Sequence, residues 1–356
     1  MADRRVKQLR AFIEPFRVPP GKKVVLSRDF DPSYKADFLD KEEGEQLLQQ
    51  GIEQLSEFQA RLAAQDTYSV LVCLQALDAA GKDGTIRHVM SGVNPQGVEV
   101  HGFKVPSAEE LDHDYLWRYQ KALPQRGNIG IFNRSHYEEV LVVRVHEAIL
   151  ANEKLPRSAR TAGIWSRRYR AINDWERHLV ENGYRIVKLF LNLSNEEQRR
   201  RFLSRIDESD KNWKFSAGDA RERQYWDAYQ KAFSEMLSNT STEWAPWYVI
   251  PADHKWFARI SAAAVIIETL MTIDPQFPVL APEALAELQQ VKEELEAEAP
   301  DGVAADPVEE ELKKKAARAA KDKDDPPDDD DPPDDDPPAK SKKGKKSKKG
   351  GKKSKK

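Results

Sequence analysis

The sequence predicts an α/β fold in which a parallel five-stranded sheet carries helices on both faces. Three observations lead there. Five short apolar runs, near residues 68–76, 97–103, 128–133, 184–192 and 247–251, have the length and β-branched or aromatic content of buried strands. Helical patterns separate them, and strands alternating with helices imply parallel pairing through crossovers. The first run also ends in a glycine-rich turn that leads into a helix, an order that places ligands at the carboxyl ends of strands.

The elements follow in order along the 356 residues. An N-terminal extension, residues 1–66, begins irregularly with Pro19-Pro20-Gly21 and then enters a helix over about residues 41–64. Leu47, Leu48, Ile52, Leu55, Phe58 and Leu62 give that helix its apolar stripe. The core is expected over residues 67–275. Between its second and third strands, Leu111, Tyr115, Tyr119 and Leu123 recur every four residues and predict a helix. Between the third and fourth, Trp165, Tyr169, Ile172, Trp175 and Leu179 predict another, with both tryptophans in the core. A last helix over about residues 254–274 closes the domain before Asp274-Pro275. Residues 276–323 read as a helical extension with an exposed helix near 282–299, and no internal repeat is visible.

Charge is segregated at the end of the chain. The net value of −3 conceals nine Asp among four Pro over residues 324–336, then eleven Lys with only Ser and Gly over residues 340–356. Such a segment has no hydrophobic groups to offset the entropy of ordering, so residues 324–356 are expected to be a disordered tail. Flexible lysines suit a polyanion such as nucleic acid, whereas the plainer reading is a solubilising segment.

Composition narrows the class further. Hydrophobic residues make up 39%, enough for a sizeable core. No run of about 18 uncharged apolar residues occurs, so no membrane span is expected. The first residues lack the apolar stretch of a secretory signal. Cys73 is the only cysteine and falls in a central strand, which predicts a buried, inert thiol and a cytoplasmic location. The histidines show no metal-ligand spacing, and one cysteine does not make a structural zinc site.

Three segments carry chemistry. The first is Leu77-Asp78-Ala79-Ala80-Gly81-Lys82-Asp83-Gly84-Thr85, between the first strand and the helix that starts near Ile86. Free backbone N–H groups at a helix start bind phosphate, and Lys82 adds a full charge. The run departs from the P-loop pattern G-x-x-x-x-G-K-[ST]: Ala76 holds the first glycine position, and Asp83 follows the lysine. A plain glycine turn is the alternative. The second is Asn133-Arg134-Ser135-His136-Tyr137-Glu138-Glu139, polar groups just past the third strand that would face the same phosphates. The third is Arg199-Arg200-Arg201-Phe202-Leu203-Ser204-Arg205, followed by Lys211-Asn212-Trp213-Lys214-Phe215. It reads as a lid over about residues 199–237 whose arginines neutralise a phosphate chain, or else as a solvated basic helix face.

Together these segments, with Ser91-Gly92-Val93-Asn94-Pro95, Leu116-Trp117-Arg118 and Ala245-Pro246-Trp247-Tyr248-Val249, closely resemble the polyphosphate kinase 2 family. The resemblance runs over about residues 24–274. It implies a P-loop-kinase-like three-layer α/β/α core with a helical lid. It also implies phosphoryl transfer between inorganic polyphosphate and nucleotides with Mg²⁺, for which Mn²⁺ is a substitute, and a homo-oligomer. Many members have Asp where this chain has Asn133; the Asn-Arg-Ser-His-Tyr-Glu form resembles the class III branch, which phosphorylates AMP and ADP. Asn is a weaker Mg²⁺ ligand than a carboxylate. Asp78 then becomes the main metal carboxylate, and Glu138 a second metal or acceptor-phosphate ligand.

The resemblance and the chemistry of phosphoryl transfer assign the remaining roles. Asp78, Lys82 and Arg134 are the catalytic candidates. Phosphate or nucleotide binding falls to the turn residues Ala79, Ala80, Gly81, Asp83, Gly84 and Thr85. The same role falls to Asn133, Tyr137 and Glu138 beside the second strand end, and to Arg118, Arg205, Lys211 and Lys214 further out. Trp213 is a candidate base-stacking residue. His136 would matter only in a phosphohistidine route, which direct in-line transfer does not need. Two rival functions share the pattern: an ATP-dependent nucleoside monophosphate or thymidylate kinase giving ATP, ADP and AMP chemistry without polyphosphate, and a non-enzymatic polyphosphate- or nucleic-acid-binding protein.

Overall fold

The structure is a computed structural model that describes residues 2–36, 40–208 and 217–298. The chain divides into two units, Met1–Val279 and Leu280–Lys356. In the first, the elements in order are α1 (Ala2–Ile13), α2 (Lys41–Gln65), β1 (Ser69–Ala76), α3 (Lys82–Val89), β2 (Val98–Gly102), β3 (Ile129–Asn133), α4 (Ile164–Glu181), β4 (Tyr184–Asn192), α5 (Asn195–Asp207), α6 (Trp226–Thr240), β5 (Trp247–Pro251) and α7 (Lys255–Ile273), with short helical turns between them. The second holds α8 (Pro282–Ala297), which turns Leu285, Leu288 and Leu295 to solvent. The expected tail, residues 324–356, lies outside the described residues.

All five strands are parallel, in the order β2-β3-β1-β4-β5. The sheet is the expected one, and strand order changes direction at β1. Side chains alternate along β1 because a strand has a period of two. Val70, Val72 and Leu74 join one core cluster with Ile52, Leu55 and Leu62 of α2 and Phe257 and Ile266 of α7. Leu71 and Cys73 join Phe132 and Leu179 on the other face, beside a cluster that takes Ile172 of α4 and Phe233 and Met236 of α6. Cys73 is fully buried, and burial raises its thiol pKa. Fully burying a side chain such as Leu55 contributes about 1.5–3 kcal/mol.

Local chemistry fixes the helix ends. Asp40 caps α2 through the Glu43 amide at 2.9 Å while the Glu43 carboxylate accepts from the Asp40 amide at 3.0 Å, a reciprocal capping box. Helix α7 is long and apolar enough to cross a bilayer, yet it is the central core helix, with Phe257, Val265 and Leu270 fully buried.

The N-terminal residues are more ordered than the sequence suggests. Helix α1 was not expected; it lies along α7, where Arg10 donates to Glu268 at 2.7 Å. Val18 donates to the Trp247 carbonyl at 2.8 Å, which covers the open edge of β5. The helix expected from Leu111 to Leu123 is instead two short turns, Ala108–Leu111 and Trp117–Lys121. Between them the Asp114 carboxylate accepts the Leu116 amide at 3.0 Å, a local side-chain bond that competes with helix propagation. Trp165 and Trp175 are only half-buried, at the margins of the core clusters.

A buried polar network sits under the carboxyl end of the sheet. Lys188 of β4 and Glu176 of α4, both without solvent exposure, pair at 2.7 Å. Lys188 also donates to the Thr240 carbonyl at 2.6 Å and the Tyr137 hydroxyl at 3.0 Å. Tyr137 in turn donates to Glu176 at 2.6 Å. His136 Nε2 lies 3.2 Å from Glu176, and burial lowers its pKa, with Glu176 opposing. Removing one member of such a pair strands the other charge. Glu176→Ala is expected to lower unfolding free energy by about 3–5 kcal/mol in urea titration. Glu176→Leu with Lys188→Met should recover most of that loss, and a single-variant effect below about 1 kcal/mol would contradict the assignment.

Candidate active site

Parallel pairing sets Leu74 of β1 beside Asn133 of β3, so the two polar strand ends open side by side. From β1 the chain turns through Ala79 at φ 65° and Gly81 at φ 101° before α3 begins at Lys82. Gly81 occupies a backbone region that L side chains rarely adopt, so glycine is needed there. Ala79 holds the same sign of φ with a side chain, as does Arg134 at φ 65° on the facing strand end. Two strained non-glycine residues at adjacent strand ends mark a place where structure overrides local preference.

The charged groups converge. Arg134 donates to Asp78 at 2.7 Å, and its other amino group lies 3.5 Å from Glu138. Lys82 folds back so that its ammonium donates to the Ala76 carbonyl at 2.9 Å. Desolvation lowers the Lys82 pKa, with Asp78 opposing; burial raises that of Glu138, opposed by Arg134 and Lys82. Asn133 donates to Asp83 at 2.6 Å, which ties the turn to β3. A carboxylate at position 133 could not make that bond.

Asp78, Arg134 and Glu138 form one wall of a cleft of about 510 Å³. Trp226, Tyr229 and Phe233 of α6 also line it, with Glu222 and Arg223 just before them in the chain. The lining combines charged groups with aromatic side chains, which suits a ligand that carries both phosphates and a flat ring.

These features agree with the comparisons to known proteins. The family model described as Polyphosphate kinase 2 matches residues 38–278. The chain belongs to the polyphosphate kinase 2 family. A Rhodopseudomonas palustris protein named ADP-polyphosphate phosphotransferase is 51% identical over 284 residues, covering 79% of this chain and 97% of the relative. A Meiothermus ruber protein named AMP/ADP-polyphosphate phosphotransferase is 43% identical over 270 residues, covering 75% and 96%. The crystal structure of polyphosphate kinase 2 from Arthrobacter aurescens TC1 superposes with a TM-score of 0.72 at 40% identity, over 79% of this chain and 96% of that one.

Not every residue singled out from the sequence of this family member reaches the cleft. Tyr137 is fully buried in the Glu176–Lys188 network, where its hydroxyl donates to Glu176 of α4 and accepts from Lys188 of β4. Thr85 is buried under α3 against Leu74, Ile131 and Leu189. Arg118 lies 3.3 Å from Glu110 and over the Phe103 ring, away from the cleft lining. Arg205 lies over Phe202 at the end of α5. Ala79 and Ala80 are buried and can offer only backbone, and Gly84 sits in the first turn of α3. Lys211, Trp213 and Lys214 lie outside the described residues. The expected lid also shrinks: Ala232, Phe233, Met236 and Leu237 of α6 are at most 2% exposed and belong to the core. His136 is fully buried, which removes it as a phosphate carrier.

Sequence reasoning missed other residues. Gln75 is buried at the end of β1; with its amide assigned from its partners it donates to Glu138 at 2.9 Å and accepts from the Ser135 amide at 2.9 Å. A lone glutamine in an apolar strand was the available signal. Gln198, Arg223 and Tyr229 also line the cleft.

Asp78 and Glu138 present hard carboxylate oxygens at the cleft edge, a donor chemistry that fits a hard divalent cation together with phosphate oxygens and water. The burial of Tyr137 can be tested separately from the site. Tyr137→Phe should cost about 1.5–3 kcal/mol of stability by removing hydrogen bonds to charged groups, while kcat/KM stays within about threefold. A loss of about 100-fold in kcat/KM from a fully folded variant would put Tyr137 back in the site.

Proposed function

We propose that the chain transfers phosphoryl groups from inorganic polyphosphate to AMP and ADP by direct in-line displacement, with Mg²⁺. The observation that carries this reading is the pairing of Asp78 and Arg134 in one cleft at adjacent strand ends, with Lys82 beside them behind the Ala76 carbonyl and the one histidine of the motif sealed in the core. Phosphoryl transfer asks mainly for positioning and charge neutralisation, because its transition state is loose and spreads charge over the equatorial oxygens. Lys82 and the N-terminal amides of α3 hold the transferring phosphate. Arg134, fixed in orientation by Asp78 and Glu138, neutralises charge on the same group. The aromatic side chains of the cleft take the nucleoside of the acceptor, which keeps water from the reacting phosphate.

Asp78 and Glu138 would hold Mg²⁺. Bound there, the ion supplies charge neutralisation on the phosphate oxygens. The names of the relatives support both acceptors, ADP in the Rhodopseudomonas protein and AMP with ADP in the Meiothermus protein. Asn133 and Glu138, the residues of the class III pattern, favour the broader pair. The eleven lysines of residues 340–356 would add salt-dependent affinity for long polyphosphate.

The test is purified protein with Mg²⁺, long-chain polyphosphate and AMP, followed by chromatography. ADP should appear first and ATP later, with both rates reduced about 10³-fold or more in Lys82→Ala and in Arg134→Ala. Turnover of ADP but not AMP would narrow the acceptor. Turnover only when ATP is supplied would replace polyphosphate by ATP as the donor.

A further inference from the structure

We propose that Gln198 and Arg201 of α5 are positioning residues that hold the phosphate-binding turn in its working shape; the proposal rests on the functional reading above. Three consecutive carbonyls of the turn are taken by these two side chains. Gln198 donates to the Asp78 carbonyl at 3.0 Å. One amino group of Arg201 donates to Ala79 at 3.1 Å and to Ala80 at 2.9 Å. The other donates to the carbonyls of Ala252 at 2.5 Å and Asp253 at 3.1 Å, just past β5. Its Nε donates to Glu197 at 2.8 Å, so all five guanidinium donors are engaged.

The consequence follows from the planar peptide. In a trans peptide the carbonyl oxygen and the following N–H point to opposite sides. Drawing the Asp78 and Ala80 oxygens toward α5 therefore turns the Ala79 and Gly81 amides away from it. The amides of the first turn of α3 add to these, since the Thr85 amide makes the bond to Gly81 at 2.9 Å and helix geometry leaves the preceding ones without intrahelical acceptors. The clamp also explains how Ala79 is kept at φ 65°.

Arg201 itself is 7% exposed and has no donor left for a ligand, so it acts through the turn. Arg199, two residues earlier, pairs outward with Glu196 at 2.6 Å. Gln198 reaches further: its oxygen accepts from Arg223 at 2.8 Å, on the cleft rim. The rim and the Asp78 backbone are thus joined through one amide.

The experiment measures kcat, both KM values and thermal unfolding for the full chain and for Gln198→Met and Arg201→Lys. Methionine keeps the length of Gln198 without a donor, and lysine keeps the charge of Arg201 without the fork that spans two pairs of carbonyls. Misplaced amides weaken the transition state more than substrate binding, so kcat should fall about 100-fold while KM for AMP and for polyphosphate stays within about threefold. Variants that stay folded at the assay temperature with kcat within threefold of the parent would overturn the proposal. So would a rise in KM at unchanged kcat, or a loss that matches the unfolded fraction. No polyphosphate-driven turnover by the parent chain would overturn the functional reading itself, and this proposal with it.

Discussion

The ion pair between Arg134 and Asp78, 2.7 Å across the ends of β3 and β1, is the interaction on which the site depends. It exists because β1 and β3 are parallel neighbours in register, with no strand between them. A one-residue slip would turn each side chain to the other face and separate the pair. Arg134 adopts a left-handed backbone to reach across, and its amide is held by the Leu74 carbonyl at 3.1 Å. The strain is offset by the contacts of Arg134 with Asp78 and Glu138, with Asp83 and Asn133 forming a second link.

Beneath that pair lies a buried charge network that contributes more to shape than to net stability. Lys188 and Glu176 are both desolvated, a cost that their attraction and hydrogen bonds largely cancel. Their role follows from where they sit. They hold Tyr137, one step from Glu138 and three from Arg134, in the core. A floor of paired charges leaves the loop above it one low-energy position, whereas an apolar floor would tolerate several.

Much of the fold was legible because its signals are local and repeated. The five strands carry apolar runs bounded by turn residues, and α2 carries a stripe at helical spacing after a capping box. The turn at Gly81 and the cluster after β3 were legible because their chemistry is written in consecutive residues. The rest depends on contacts distant in sequence. Helix α1 is held by α7, some 250 residues away, through the Arg10–Glu268 pair. The α5 segment reads in the sequence as lid arginines over a phosphate chain, or else as a solvated basic face, but its three neighbouring arginines have different fates: Arg199 pairs with the exposed Glu196, Arg200 with the mostly buried Glu197, and Arg201 turns inward. Tyr137 and Thr85 sit in motifs with site residues yet point into the core, because motif membership does not set side-chain direction.

The central claim is that this arrangement moves a phosphoryl group directly, with no covalent protein intermediate. The most direct measurement is a rapid quench of the protein with Mg²⁺ and radiolabelled polyphosphate, without nucleotide, followed by separation of protein under conditions that preserve phosphohistidine and acyl phosphate. Direct transfer predicts no label on the protein, and label in ADP as soon as AMP is added. Stoichiometric labelling of the protein that chases into ADP would contradict it.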